Sequence, residues 1–166
     1  MDLPKRKRIR LTCYDYDAAG HYFITVCTKD KRKILCEIRS SGLADEVQIE
    51  YTEYGRIVRE QMEYMADFYP DIKIDKYVVM PNHVHMILRI ISPKGSDGAE
   101  MKGMYSGVSR FVGSFKRFSN KKCGIDLWQP RSYDHVIRGE NDYQEIWTYI
   151  EGNPSRWTED KLYCAE

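Results

Sequence analysis

Along this chain the apolar positions change period several times, and each change marks an expected element. Tyr22 to Thr28 is dense in β-branched and aromatic residues and ends in the charged turn Lys29 to Lys33, which predicts a first strand. Two weaker extended pieces follow, near Ile34 to Ile38 and Glu46 to Glu50, separated by the turn-forming Ser40-Ser41-Gly42; they are expected to pair as a hairpin. Tyr54, Ile57, Val58, Met62, Met65 and Phe68 then recur at helical spacing, with Thr52 placed to cap the start and Pro70 to stop the helix. Ile72 to Met80 and His83 to Ile91 are extended again around the break Pro81-Asn82, which predicts two buried antiparallel neighbours.

The second half adds two amphipathic helices. Val108, Phe111, Val112 and Phe115 form an apolar stripe, while Arg110, Arg117 and Lys121 share the opposite side of the same helix. Leu127 to Gln129 and Tyr133 to Arg138 read as short extended pieces. A last helix is expected from Asn141, where Asn141 and Gln144 have capping-box spacing, to a stop at Asn153-Pro154; its buried stripe is Tyr143, Ile146, Trp147 and Ile150. The order β, ββ, α, β, β, α, β, α predicts an α+β fold, with helices on one or both faces of an antiparallel sheet. The 166 residues suffice for one domain, read as 1–166 with a basic leader at 1–12 and a glycine-rich mobile loop at 93–103.

A net charge of +1 does not by itself point to nucleic acid, but the distribution does. Five cations crowd residues 5–10, and Lys116, Arg117, Lys121 and Lys122 crowd the second long helix. Arg110, Lys116, Arg117 and Lys121 are therefore the candidate phosphate contacts. The five cysteines form no CxxC pair, so a reducing, cytoplasmic setting is expected. No apolar run suits a signal segment or a bilayer span, so no membrane partner is expected.

His83 and His85, at i and i+2 on a strand, project from one sheet face about 7 Å apart, a spacing that suits a divalent metal. On its own such a pair is more often two packed histidines. Its setting is more specific. The phrase Tyr77-Val78-Val79-Met80-Pro81-Asn82-His83-Val84-His85-Met86-Ile87-Leu88 closely resembles the signature of the REP-associated, insertion-sequence-type single-tyrosine HUH transposases. The resemblance continues through Gly113 to Lys116, Leu127 to Pro130, Tyr133 to Arg138 and Tyr149 to Pro154, and so covers most of the chain.

That resemblance implies a ferredoxin-like sheet, a metal held by His83 and His85, and a tyrosine nucleophile on the last helix, one turn before a polar ligand. Tyr149 and Asn153 reproduce this i, i+4 pair, and Tyr149 lies off the centre of the buried stripe. Asn153 also suits a helix C-cap before proline. Tyr133 is the rival nucleophile, and Asp134 and His135 are candidates for the rim of the site. The implied activity is cleavage and rejoining of single-stranded, hairpin-containing DNA through a covalent 5′-phosphotyrosine, with Mg²⁺ or Mn²⁺ as cofactor. Two other readings remain: a non-catalytic module for single-stranded nucleic acid, and a metal-dependent nuclease that uses water. Whether the chain acts alone or as a homodimer stays open, as does the DNA target.

Overall fold

A computed structural model of the chain describes residues 18–40, 42, 46–91 and 107–164. The expected leader 1–12 and loop 93–103 lie outside the described residues. Strand β1 (Gly20–Cys27) is the hub, because its alternating side chains have apolar neighbours on both faces. It pairs antiparallel with β5 (His83–Ile90) on one side and β6 (Tyr133–Ile137) on the other, while β4 (Ile72–Met80) pairs with the far edge of β5. The sheet order is β4-β5-β1-β6, and the hairpin β2 (Cys36–Ser40) with β3 (Val47–Tyr51) forms a separate two-stranded sheet.

Helix α1 (Glu53–Phe68) follows β3, α2 (Gly107–Cys123) follows β5, and α3 (Glu140–Gly152) follows β6. With the hairpin set aside, the main sheet and its first two helices read βαββαβ in the ferredoxin-like order. Helices α1 and α2 pack on one sheet face, with Val58, Met62, Phe111 and Phe115 against Tyr22, Ile24, Met86 and Leu88. The other face carries Phe23, Ile87 and Ile137, covered by Ile150 of α3 and by half-buried Tyr143, Ile146 and Trp147. Polar chemistry placed on this second face is thus separated from α2 by the thickness of the sheet.

The start of α1 follows the expected cap. The Thr52 hydroxyl oxygen accepts from the Gly55 amide at 3.1 Å, satisfying one of the free donors of the first turn. Gly55 is required there for room, since a Cβ would sit 1.9 Å from the Leu35 carbonyl oxygen. The hairpin segment and the first turn of α1 are held at that approach by Thr52 N–H donating to Leu35 O at 3.0 Å.

Two local expectations change. Leu127 to Gln129 makes a single bridge, Thr28 with Trp128, and no strand. Helix α3 begins at Glu140, and Asn141 with Gln144 does not cap it. Gly139, at φ 88°, turns the chain out of β6, and the Asp142 carboxylate accepts from the Arg138 amide at 2.8 Å, doing the capping from inside the first turn. Gln144 bonds Glu140 instead, one turn back, at 2.7 Å. A short 3-10 helix, Pro154–Glu159, continues the chain beyond α3 and was not expected. Among the described residues no helix is long and apolar enough to cross a membrane.

Candidate active site

Strand β5 alternates, sending Val84, Met86 and Leu88 to the α1/α2 side and His83, His85 and Ile87 to the α3 side. Both imidazoles are buried, and their Nε2 atoms lie 3.0 Å apart. The other ring nitrogen of each is occupied. His83 Nδ1 is 2.7 Å from Asn82 Oδ1, and the Asn82 amide nitrogen donates to Leu162 O at 2.9 Å. That second bond fixes which way the amide faces, so His83 Nδ1 carries the proton and its Nε2 presents a lone pair. His85 Nδ1 is 2.8 Å from Thr25 Oγ1, which can receive its proton in the same manner. Burial pushes the His83 pKa down to about 4 and that of His85 down to about 3, with neighbouring His83 adding to the second shift. Both are neutral at pH 7, the form that binds metals.

The helix α3 and the chain after it complete the group. The Tyr149 hydroxyl is 3.3 Å from His85 Nε2 and donates to Asp160 Oδ2 at 3.1 Å. Asn153, buried at the end of α3, donates its amide nitrogen to the same Asp160 oxygen at 2.6 Å. Among the described residues its Oδ1 is buried with no hydrogen-bond partner. Such an atom is costly unless something else occupies it. Ligand atoms of His83, His85 and Asp160 all lie within 4.8 Å of one another. Two imidazoles, a carboxylate and an orphaned amide oxygen are a donor set that fits a divalent ion.

Burial pushes the Asp160 carboxyl up, but bonds from Asn153 and the Leu162 amide outweigh it and hold the group below its ordinary value. Tyr149 moves the other way. Burial first, and Asp160 second, raise its hydroxyl to about 12, so the protein alone does not favour the phenolate. Positive charge at the histidine pair would oppose both effects.

Of the sequence candidates, the structure brings His83, His85, Tyr149 and Asn153 together. Asp160 escaped the sequence reading; it lies seven residues beyond Asn153, and only the turn made by the 3-10 helix returns it to the histidines. Arg110, Arg117 and Lys121 are on α2, across the sheet from this group. Lys116 reaches around toward it and donates to the carbonyls of Gln129 and Arg131 at 2.8 and 2.9 Å, with burial lowering its pKa to about 8. Tyr133 is 52% exposed and lines the same cleft as Tyr149. His135 pairs with Asp142 at 3.0 Å at the start of α3, and Asp134 points to the α2 side.

No protein-family model matches the chain. An uncharacterized protein of Haemophilus influenzae is 34% identical over 173 residues, covering 95% of this chain and 93% of that one. A REP-associated tyrosine transposase of Escherichia coli K12 is 28% identical over 140 residues, or 84% of this chain and 68% of the relative. A solved structure of a REP-associated tyrosine transposase bound to a REP hairpin superposes with a TM-score of 0.60 at 23% identity, over 97% of this chain and 77% of that one. This last likeness bears on the fold.

Proposed function

We propose, from the premise that this chain belongs to the family of REP-associated tyrosine transposases, that it cuts and rejoins single-stranded, hairpin-containing DNA with Tyr149 as the nucleophile. The observation that carries this is the Tyr149 hydroxyl, 43% exposed in residue terms, placed 3.3 Å from a buried imidazole of a metal-type cluster.

His83 and His85 would hold the ion through their Nε2 atoms, with Asn153 Oδ1 and the Asp160 carboxylate as the oxygen donors. A bound Mg²⁺ or Mn²⁺ supplies Lewis-acid stabilisation of charge on the scissile phosphate. Asn82 holds His83 in the ligand tautomer, and the Thr25 hydroxyl, able to donate or accept, takes the His85 Nδ1 proton when His85 Nε2 meets the ion. Asp160, accepting from Tyr149, keeps the phenol oxygen turned into the cleft. The phenol oxygen attacks phosphorus, a tyrosine–phosphate bond forms, and the bond from phosphorus to the upstream 3′ oxygen breaks. The 3′ oxygen leaves as a hydroxyl, taking up the proton equivalent that Tyr149 gives up. A 3′ hydroxyl reverses the step on rejoining, so bond energy is conserved and no nucleotide cofactor is required. Arg110, Lys116, Arg117 and Lys121 are proposed as phosphate contacts, the three on the outer face of α2 meeting DNA outside the cleft.

A 3′-labelled single-stranded hairpin incubated with Mn²⁺ should migrate with the protein on a denaturing gel, while a 5′ label is released on a shorter fragment. Tyr149→Phe should abolish the adduct and Tyr133→Phe should keep it. Turnover without an adduct would establish hydrolysis by water, and a full adduct with Tyr149→Phe would remove Tyr149 from the role.

A further inference from the structure

A cleft of about 760 Å³ opens beside Tyr149, far larger than attack on one phosphate needs and within the range of small-ligand sites. Its floor is apolar, with Phe23 in edge contact with Tyr149 at a centroid distance of 6.1 Å. Its wall is the segment Gln129 to Ser132, held from behind by Lys116 and by Gln129, whose backbone N–H donates to Cys27 O at 2.9 Å and whose side chain donates to Thr28 O at 3.1 Å.

Register places an aromatic ring within reach. Thr25 pairs with His85 on one side and with Tyr133 on the other, so His85, Thr25 and Tyr133 form one row, about 10 Å long, across three strands. Tyr133 thus stands on the same face as the histidines, at the edge strand, with its ring half in solvent. Arg131, Arg156 and Lys161 also line the cleft, and among the described residues none has an ion-pair partner; Glu159 and Asp160 are the acids that line it. Gly152 makes room for one of the three, since a Cβ there would come within 3.2 Å of the Arg156 guanidinium.

We infer that this cleft is a nucleotide subsite: one unpaired base next to the attacked phosphate lies against Tyr133 over the Phe23 floor, and its phosphate is held by Arg131 and Arg156. The inference rests on the reading of the chain as a single-strand DNA transferase. An aromatic face together with unpaired guanidinium groups matches a base and its phosphate, and every base has a face to stack, so the contact is tolerant of sequence. A base inside a duplex is covered on both faces by its neighbours. The ligand is therefore a single-stranded nucleotide.

The test compares binding of two fluorescent probes, dT12 and a twelve-unit abasic strand with the same phosphates, to the full chain carrying Tyr149→Phe. The parent should prefer dT12. Tyr133→Ala should reduce dT12 affinity by about 5- to 150-fold, the worth of one stacked base, with little effect on the abasic strand. Tyr133→Phe should restore the preference. Arg131→Ala and Arg156→Ala should weaken both probes alike and each reduce the salt slope by about 0.7. Equal binding of dT12 by the parent and by Tyr133→Ala overturns the base contact, and an unchanged slope in both arginine variants overturns the phosphate contact. Base-sensitive binding in a protein whose unsubstituted form makes no adduct on any strand would overturn the transferase reading and leave the subsite standing. An adduct with Tyr133-insensitive binding overturns the subsite alone.

Discussion

Thr25→Val changes one atom's hydrogen-bonding capacity at constant shape, in the central strand of the sheet. The hydroxyl it removes is 2.8 Å from His85 Nδ1, in a site where Thr25 is 6% exposed and His85 3%. In the ligand tautomer the variant buries an Nδ1–H without an acceptor; in the other it buries a lone pair without a donor and turns a proton toward His83 Nε2, 3.0 Å away. The metal-free protein should lose about 1–3 kcal/mol, the penalty for one unsatisfied buried group. For a domain of this size that lowers the melting temperature by several degrees. Loss of the partner that orients a ligand should also reduce Mn²⁺ affinity by about 10- to 100-fold. Calorimetric Mn²⁺ titrations alongside thermal melts in EDTA read the two effects separately. Unchanged Mn²⁺ affinity in a variant that melts earlier would show that Thr25 only packs, and would refute the argument that the Thr25 bond orients His85 as a ligand.

Acid should destabilise the metal-free protein before carboxylates titrate. His83 and His85 have folded-state values of about 4 and about 3, below the ordinary 6.5, so as pH falls below 6.5 the unfolded chain takes up protons first; stability is full above that pH and declines through pH 4, by roughly 3 kcal/mol for His83 alone. Melting temperatures equal at pH 7.5 and pH 5 would contradict this. Gly55→Ala should cost about 3 kcal/mol or more in urea unfolding, because the new methyl meets backbone at Leu35 and no flexible side chain can yield; a loss under 1 kcal/mol would mean that the hairpin can step away from α1. Replacing Arg110, Arg117 and Lys121 together by alanine should leave the adduct rate on a short unstructured strand unchanged and weaken binding of longer hairpins, with the salt slope falling by about 0.7–0.9 for each lost contact. A slower adduct on the short strand would bring α2 into the cleft.

Much of this arrangement could be read from the chain because local signals and tertiary packing agree. Thr52 and Pro70 bound α1, and the Pro81-Asn82 break separates two strands whose alternation puts both histidines on one face. Tyr149 and Asn153 were reachable because the family resemblance implies a tyrosine one turn before a polar ligand, and an i, i+4 pair shares one side of a helix wherever that helix packs. What periodicity lacks is which sheet face a helix takes. The cationic side of α2 is correct as a helical stripe, yet the βαββαβ connection puts α2 with α1, away from the histidines. Asp160 and Arg131 are in irregular segments, where position is set by the bonds of Asn153, Leu162 and Lys116 and no period exists to detect.

Lys116 carries a consequence for any alanine survey of the basic residues. Its ammonium bridges two carbonyls of the segment that bears Arg131, so truncating it unties that segment from α2 and frees the wall on which a distant cation is mounted. The variant would bind DNA poorly whether or not the lysine meets a phosphate. Methionine at 116 would give the same loss, whereas arginine, with its donors retained on a longer reach, would restore part of it. A mapping exercise that scores charge loss alone would then assign the whole loss to a phosphate at Lys116, when part of it belongs to a strut whose cargo is an arginine fifteen residues away.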